Sequence, residues 1–175
     1  MSDLETRLKA TIRDIPDFPK PGIVFKDITP ILADSTLMSD VIDRLAADFE
    51  GEGITAVVGM ESRGFIFGAP LALKLGCAFV PARKPGKLPY SSVGVDYALE
   101  YGTARLEMHT DALGPHDKVL VVDDLLATGG TAAATNALVT ELGATLVANL
   151  FVIELGFLSG RDALGGVPVQ SLVNY

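Results

Sequence analysis

The stretch Lys118-Val119-Leu120-Val121-Val122-Asp123-Asp124-Leu125-Leu126-Ala127-Thr128-Gly129-Gly130-Thr131 decides how this chain folds. Its opening residues, 118–123, form a short apolar run with β-branched side chains that ends on an acid, the pattern of a buried strand. A glycine turn follows, and the spacing predicts a helix from Thr131 to Leu142, closed by Gly143, then a strand from Thr145 to Ile153. The same order occurs earlier: strand Ile54 to Gly59, a turn, a helical stretch to Leu75 with Gly76 as its C-cap, and strand Ala78 to Ala82. Strands alternating with helices of this length imply βαβ crossovers around a parallel sheet, hence an α/β fold.

Outward from these two units the punctuation changes. Leu4, Leu8, Ile12 and Ile15 recur at helical spacing behind Ser2 as an N-cap, and Pro16 ends that helix. The segment from Pro16 to Pro30 carries four of the ten prolines, too many for a regular element but suited to an ordered surface arm. Ser35 opens a second helix with Leu37, Val41, Leu45 and Phe49 on one face and Gly51 at its close. Between the units, Arg83 to Thr103 is rich in Pro, Gly, Ser and Lys. It leads into a hairpin whose arms, Tyr97 to Tyr101 and Ala104 to His109, are joined by Gly102-Thr103. A loop of that length in a small domain is a functional lid or is disordered.

Bulk composition narrows the function. A length of 175 residues with 49 % hydrophobic side chains supports one domain with a real core. The net charge of −8 repels polyanions, so neither nucleic acid nor an anionic membrane is the expected partner, and an anionic ligand must be held by local donors. The single cysteine, Cys77, excludes an internal disulfide and a thiolate zinc cluster, in keeping with a reducing cytoplasm. The first residues lack the apolar core of a secretory signal. Two apolar stretches, Gly64 to Ala82 and Leu146 to Leu158, are broken by Pro70 and Gly76 or are too short to cross about 30 Å of hydrocarbon, and both read as buried elements. His109 and His116 are too few and too isolated to suggest a metal site.

In open parallel sheets ligands bind beyond the carboxyl ends of the strands. Three polar clusters fall there: Glu61-Ser62-Arg63-Gly64, Arg83-Lys84-Pro85-Gly86-Lys87, and Asp123 to Thr131. In the third, Gly129 and Gly130 remove Cβ atoms, so backbone N–H groups and the hydroxyls of Thr128 and Thr131 can converge on one anion at a helix N-terminus. Asp123 and Asp124 would repel each other unless a cation or sugar hydroxyls took up their lone pairs, which points to a diol beside the phosphate. A Walker-B carboxylate is the competing reading, but no G-x-x-x-x-G-K-[ST] occurs in the chain.

Four apolar residues, two acids and a small-Thr-Gly-Gly-Thr loop, here VLVVDDLLATGGT, resemble the signature of the type I phosphoribosyltransferase family. Phe18 to Pro30, Gly59 to Gly68, Arg83 to Pro89 and Leu99 to Gly102 extend the resemblance over nearly the whole chain, to the adenine-specific branch. It implies a Rossmann-like phosphoribosyltransferase core, an N-terminal helix and base-binding hood over residues 1–34, and a flexible catalytic loop and hairpin over residues 83–109. The implied reaction is transfer of the 5-phosphoribosyl group from phosphoribosyl pyrophosphate to adenine, giving AMP and pyrophosphate, in purine salvage. Mg²⁺ is the implied cofactor, held by the substrate and not directly by the protein, and a cytoplasmic homodimer is the implied assembly.

Carried onto this sequence, Ala127, Thr128, Gly129, Gly130 and Thr131 hold the 5-phosphate, and Asp123 and Asp124 take the ribose hydroxyls and the positive charge that grows at C1. Glu61, Ser62 and Arg63, with Arg83, Lys84 and Lys87, receive the pyrophosphate, Arg83 by reaching across a dimer interface. Val24, Phe25 and Lys26 cover the base, Phe25 by stacking and its neighbours through backbone groups, while Leu155 closes the other face. Glu100 matches the family's catalytic glutamate. Lys26 stands where Arg is frequent, and Ala98 and Ala104 where acids are often found. Three other readings stay open at this point: the same site serving guanine, xanthine or orotate, a non-catalytic phosphoribosyl pyrophosphate sensor, and a scaffold without ligand chemistry.

Overall fold

Five short apolar runs pair into one parallel sheet in the computed structural model, which describes residues 3–98 and 102–175. In chain order they are β3 (Ala56–Met60), β4 (Ala78–Ala82), β7 (Lys118–Leu126), β8 (Thr145–Glu154) and β9 (Val169–Asn174). Their order across the sheet is β4-β3-β7-β8-β9, every pair parallel. Helix α4 (Gly64–Leu75) links β3 to β4, and α5 (Gly130–Glu141) links β7 to β8. The chain thus leaves the sheet centre in opposite directions from β3 and from β7, and the crevice where ligands bind in such sheets opens between those two strand ends.

Both faces are covered, as a parallel sheet requires. Alternation sends Val57, Leu120, Val122, Leu150 and Val152 into one layer with α1 (Asp3–Thr11), α3 (Ser35–Ala46) and α4. It sends Val58, Val119, Val121 and Phe151 into the other layer, with α5 and the hairpin of β5 (Ser92–Ala98) and β6 (Thr103–His109). The Asp34 side chain caps α3 by accepting from Thr36 N and Leu37 N, both at 3.0 Å. Gly76 closes α4 at φ 67°, the left-handed conformation expected of a C-cap glycine.

The structure departs from several sequence expectations. The first helix stops at Thr11, and Ile15 lies instead in β1 (Arg13–Pro16), 36 % exposed. Part of the proline-rich arm is a regular element after all: β2 (Val24–Asp27) pairs antiparallel with β1, and a short helix, α2 (Thr29–Leu32), follows. Helix α3 ends before Phe49, which a turn carries back onto the core. β5 begins five residues earlier than read, and its far end meets residues 99–101, outside the described residues. β7 runs on to Leu126, so Asp123 and Asp124 lie inside the strand because pairing with Phe151 and Ile153 of β8 continues past them. β9 and two turns of 3-10 helix, Gly156–Leu158 and Gly160–Leu164, were not anticipated.

Candidate active site

At the end of β7 the chain turns through Ala127 and Thr128 into α5, with Gly129 as N-cap at φ 85°. Ala127, Thr128, Gly129, Gly130 and Thr131 line a cavity of about 90 Å³ together with Asp123, Met60 and Phe151. That volume suits one tetrahedral anion, and the helix N-terminus aims backbone N–H groups and its positive dipole end into it. Gly129 has no alternative residue: a Cβ there would strike the Gly160 carbonyl oxygen and lie 2.9 Å from the Ala163 Cβ. Thr131 Oγ1 donates to Tyr97 Oη at 3.4 Å, which ties the β5–β6 hairpin to the turn.

The acid pair stands beside this cavity. Asp124 is 1 % exposed, and its N–H donates to Asp123 Oδ1 at 2.8 Å. Burial, and then the Asp124 carboxylate, push Asp123 well above the ordinary carboxylate range. Burial raises Asp124 too, against the pull of Arg63. The Arg63 Nε stands 3.1 Å from Asp124 Oδ2, an ion pair without hydrogen-bond alignment, so that buried oxygen lacks a hydrogen-bond partner among the described residues. Helix α4 reaches the pair because Gly64 has no Cβ: one added there would come within 2.6 Å of the Val122 carbonyl and 3.2 Å of Asp123 Oδ1.

The turn after β3 brings in the second cluster. Glu61 accepts from Lys84 N–H at 2.9 Å and faces Arg83 Nε at 3.3 Å. Burial works against its charge, but these two donors outweigh it and hold the carboxyl below its usual range. Ser62 follows Glu61 in the turn, and Arg63 is the N-cap of α4. Arg83 also donates to the Lys87 carbonyl at 3.2 Å, while the side chains of Lys84 and Lys87 are exposed. Arg63 therefore meets the acid pair, whereas Lys84 and Lys87 stay in solvent.

Comparison with known proteins closes the question of kinship. A phosphoribosyl transferase domain matches residues 31–155. An adenine phosphoribosyltransferase of Methylococcus capsulatus is 62 % identical over 169 residues, covering 97 % of this chain and 99 % of that one. The chain belongs to the phosphoribosyltransferase family. Among solved structures, the adenine phosphoribosyltransferase of Thermoanaerobacter pseudethanolicus superposes with a TM-score of 0.94 at 49 % identity, covering 97 % of this chain and 99 % of that one. The Saccharomyces cerevisiae enzyme, complexed with an imino-altritol bisphosphate and adenine, gives 0.93 at 42 % identity, covering 98 % and 99 %.

Within this phosphoribosyltransferase, Val24, Lys26 and Leu155 line a second cavity of about 490 Å³ with Ile23, Phe157 and Tyr175. Phe25 points to the other side of its strand, with its ring 5.2 Å from the Arg63 guanidinium carbon and 5.2 Å from the Phe18 ring. The Lys26 ammonium is occupied by Asp14 at 2.6 Å and by the Tyr175 ring at 3.7 Å, so only its backbone is free to meet a ligand. Because β2 pairs with β1 alone among the described residues, every second residue of β2 offers N–H and C=O at an open edge. Glu100 lies outside the described residues. Sequence reasoning missed Tyr97, Gly160 and Tyr175. A lone tyrosine in a hairpin and a terminal tyrosine carry no local signal, whereas Gly160, in a glycine-rich stretch after a strand, was open to the logic that singled out Gly129.

Proposed function

We propose that this chain transfers the 5-phosphoribosyl group of phosphoribosyl pyrophosphate to N9 of adenine, giving AMP and pyrophosphate in purine salvage. The observation that carries the reading is the anion-sized turn of Ala127 to Thr131 opening beside two carboxylates raised above their ordinary range. The turn holds the 5-phosphate through N–H groups and the Thr128 and Thr131 hydroxyls. Asp123 and Asp124 accept hydrogen bonds from the ribose hydroxyls. As the C1–O bond to pyrophosphate lengthens, their negative charge meets the positive charge growing on the ring. Glu61, Ser62, Arg63, Arg83, Lys84 and Lys87 receive the leaving pyrophosphate, Arg83 and the Lys84 N–H being oriented for that task by Glu61.

Residues 1–34 act as a hood over the base, and residues 83–109 as the loop that excludes water during transfer. Phe25 stacks on adenine from the face of β2 that also meets Arg63, backbone groups of Val24 and Lys26 read its 6-amino edge, and Leu155 closes the base site from the residue after β8. A 6-oxo purine would leave those groups facing the wrong partner. The buried Asp124 oxygen, without a hydrogen bond among the described residues, and its neighbour Asp123 are hard acceptors for the ribose hydroxyls, which fits Mg²⁺ held by the substrate's own oxygens beside them. When bound, Mg²⁺ neutralises the charge of the departing pyrophosphate. Glu100 assists proton movement on the purine, and Glu100→Gln is expected to lower kcat about 10²- to 10⁴-fold with little change in phosphoribosyl pyrophosphate affinity. Loss of that affinity at unchanged kcat would contradict the role.

Incubation with Mg²⁺, phosphoribosyl pyrophosphate and labelled adenine is expected to yield AMP, and guanine, xanthine or orotate in excess to compete poorly. No AMP from folded protein would overturn the reading. A cytoplasmic homodimer, with Arg83 near the partner's site, completes the proposal. Sedimentation of the 18.4 kDa chain at twice its mass supports it, and a monomer at micromolar concentration contradicts it.

A further inference from the structure

Glu154, the last residue of β8, is 5 % exposed, and no step of the proposed reaction uses it. Arg161 grips its carboxylate as a fork, Nε to Oε1 and Nη2 to Oε2, both at 2.7 Å. Ser171 of β9 donates to the same Oε2 at 2.5 Å. The guanidinium also donates from Nη1 to the Val169 carbonyl at 3.2 Å and from Nη2 to Ser171 Oγ at 3.3 Å. Arg161 is thereby fastened to the ends of two strands at once. The hydrogen bonds from Arg161, first, and Ser171 hold the Glu154 carboxyl below its usual range despite burial.

The neighbours of this pair reach both subsites. Leu155 follows Glu154, lines the cavity beside the hood, and donates its N–H to the Leu126 carbonyl at 2.9 Å. Gly160 precedes Arg161 and forms the rear wall of the phosphate turn. A Cβ on Gly160 would strike the Ala127 carbonyl oxygen and crowd the Leu126 side chain at 3.0 Å, just as one on Gly129 would strike the Gly160 carbonyl. Backbone lies on backbone there, so a shift of Gly160 must move the turn.

We propose that the Glu154–Arg161 pair, together with Ser171, is a positioning clamp that fixes Gly160 behind the 5-phosphate turn and Leu155 beside the base. The inference rests on the reading of those two subsites given under the proposed function. Arginine suits the task because its planar fork fixes direction as well as charge, whereas lysine in its place keeps the charge and loses the fork. A misplacement of about 1 Å at a binding wall costs up to about 10²-fold in rate, so partial loosening is expected to cost about tenfold.

The test compares wild type, Arg161→Lys, Arg161→Met and the double variant Glu154→Gln/Arg161→Met by thermal melt and by steady-state kinetics in both substrates. Arg44→Met, which breaks the exposed pair with Asp48, serves as the control for loss of an arginine. Arg161→Lys is expected to melt close to wild type yet raise KM for phosphoribosyl pyrophosphate about tenfold. Arg161→Met strands a buried carboxylate and melts lower, and the double variant recovers the melt but keeps the raised KM. If Arg161→Lys keeps the wild-type KM, or if KM in the double variant returns together with the melt, the pair is only structural and the proposal falls. If wild type itself forms no AMP, the reading of the subsites fails and the clamp fails with it; wild-type activity with unaltered variants sinks the clamp alone.

Discussion

Asp123→Asn is expected to lower kcat about 10²- to 10³-fold while raising the Tm of the ligand-free protein, a pairing of effects that a residue of purely structural value would not give. The loss of rate follows from removing a negative charge beside the ring carbon where positive charge develops. The gain in Tm follows from the raised pKa. The folded-state value lies well above the ordinary 3.8, so between those two values the folded chain holds a proton that the unfolded chain has released. Stability from this group is therefore fully present below about 3.8 and lost as pH rises through the folded value. Above about 3.8 keeping this carboxyl in its buried site costs stability whichever form it takes, and Asn removes that cost, at about 2–4 °C for each kcal/mol relieved. Melts below about pH 3.8 and at pH 8 check the sign: the variant's advantage is larger at the higher pH. A variant that melts lower than wild type at pH 8 contradicts the account of the acid pair.

Gly129→Ala is the second large effect. The residue sits at φ 85°, where a side chain is strained, and the new methyl group would run into the Gly160 carbonyl. Strain and overpacking each cost about 1–3 kcal/mol, so a loss of about 2–6 kcal/mol is expected. Relief by backbone movement would rotate the N–H groups of the turn away from their common focus, so phosphoribosyl pyrophosphate affinity falls with stability. Gly114→Ala is the comparison: nothing lies within 4 Å of its Cβ position, and a change within about 0.5 kcal/mol is expected. Calorimetric melting and titration of the two variants measure both effects. Equal behaviour of the two variants would show that the turn does not need Gly129.

How much of this was legible in the sequence depends on whether the cause is local. The glycine turn, α5 and the C-cap at Gly76 were read from residues that carry their own punctuation, and α4 to β4 followed with its predicted strand bounds. Elements made by distant pairing were read poorly. Ile15 continues the helical spacing of Leu8 and Ile12, yet Pro16 to Val24 pairing draws Arg13–Pro16 into a ribbon, and no local pattern announces that partner. A strand read from the local pattern ends at Asp123, because acids are poor strand formers. Ladder bonds to β8 carry the strand through Asp123 and Asp124, which buries the acids and raises their pKa.

At the site, residue types at strand ends exposed the phosphate turn and the Glu61 and Arg83 clusters, because anion and cation chemistry restricts the usable side chains. The fork of Arg161 on Glu154 was not legible: its members lie seven and ten residues from one another along the chain and meet only once β9 is in place. The resemblance gives Lys26 a backbone role, but the reason its side chain is withheld was not legible. Its ammonium is taken by Asp14 and Tyr175, which come from opposite ends of the chain.

Amide NMR of the labelled protein titrated with AMP, and in parallel with adenosine, tests the central claim most directly. The account predicts that AMP shifts the amides of Thr128, Gly129, Gly130 and Thr131 and that adenosine, which lacks the phosphate, leaves them in place. Equal shifts from both ligands, or AMP shifts confined to residues away from the turn after β7, would contradict it.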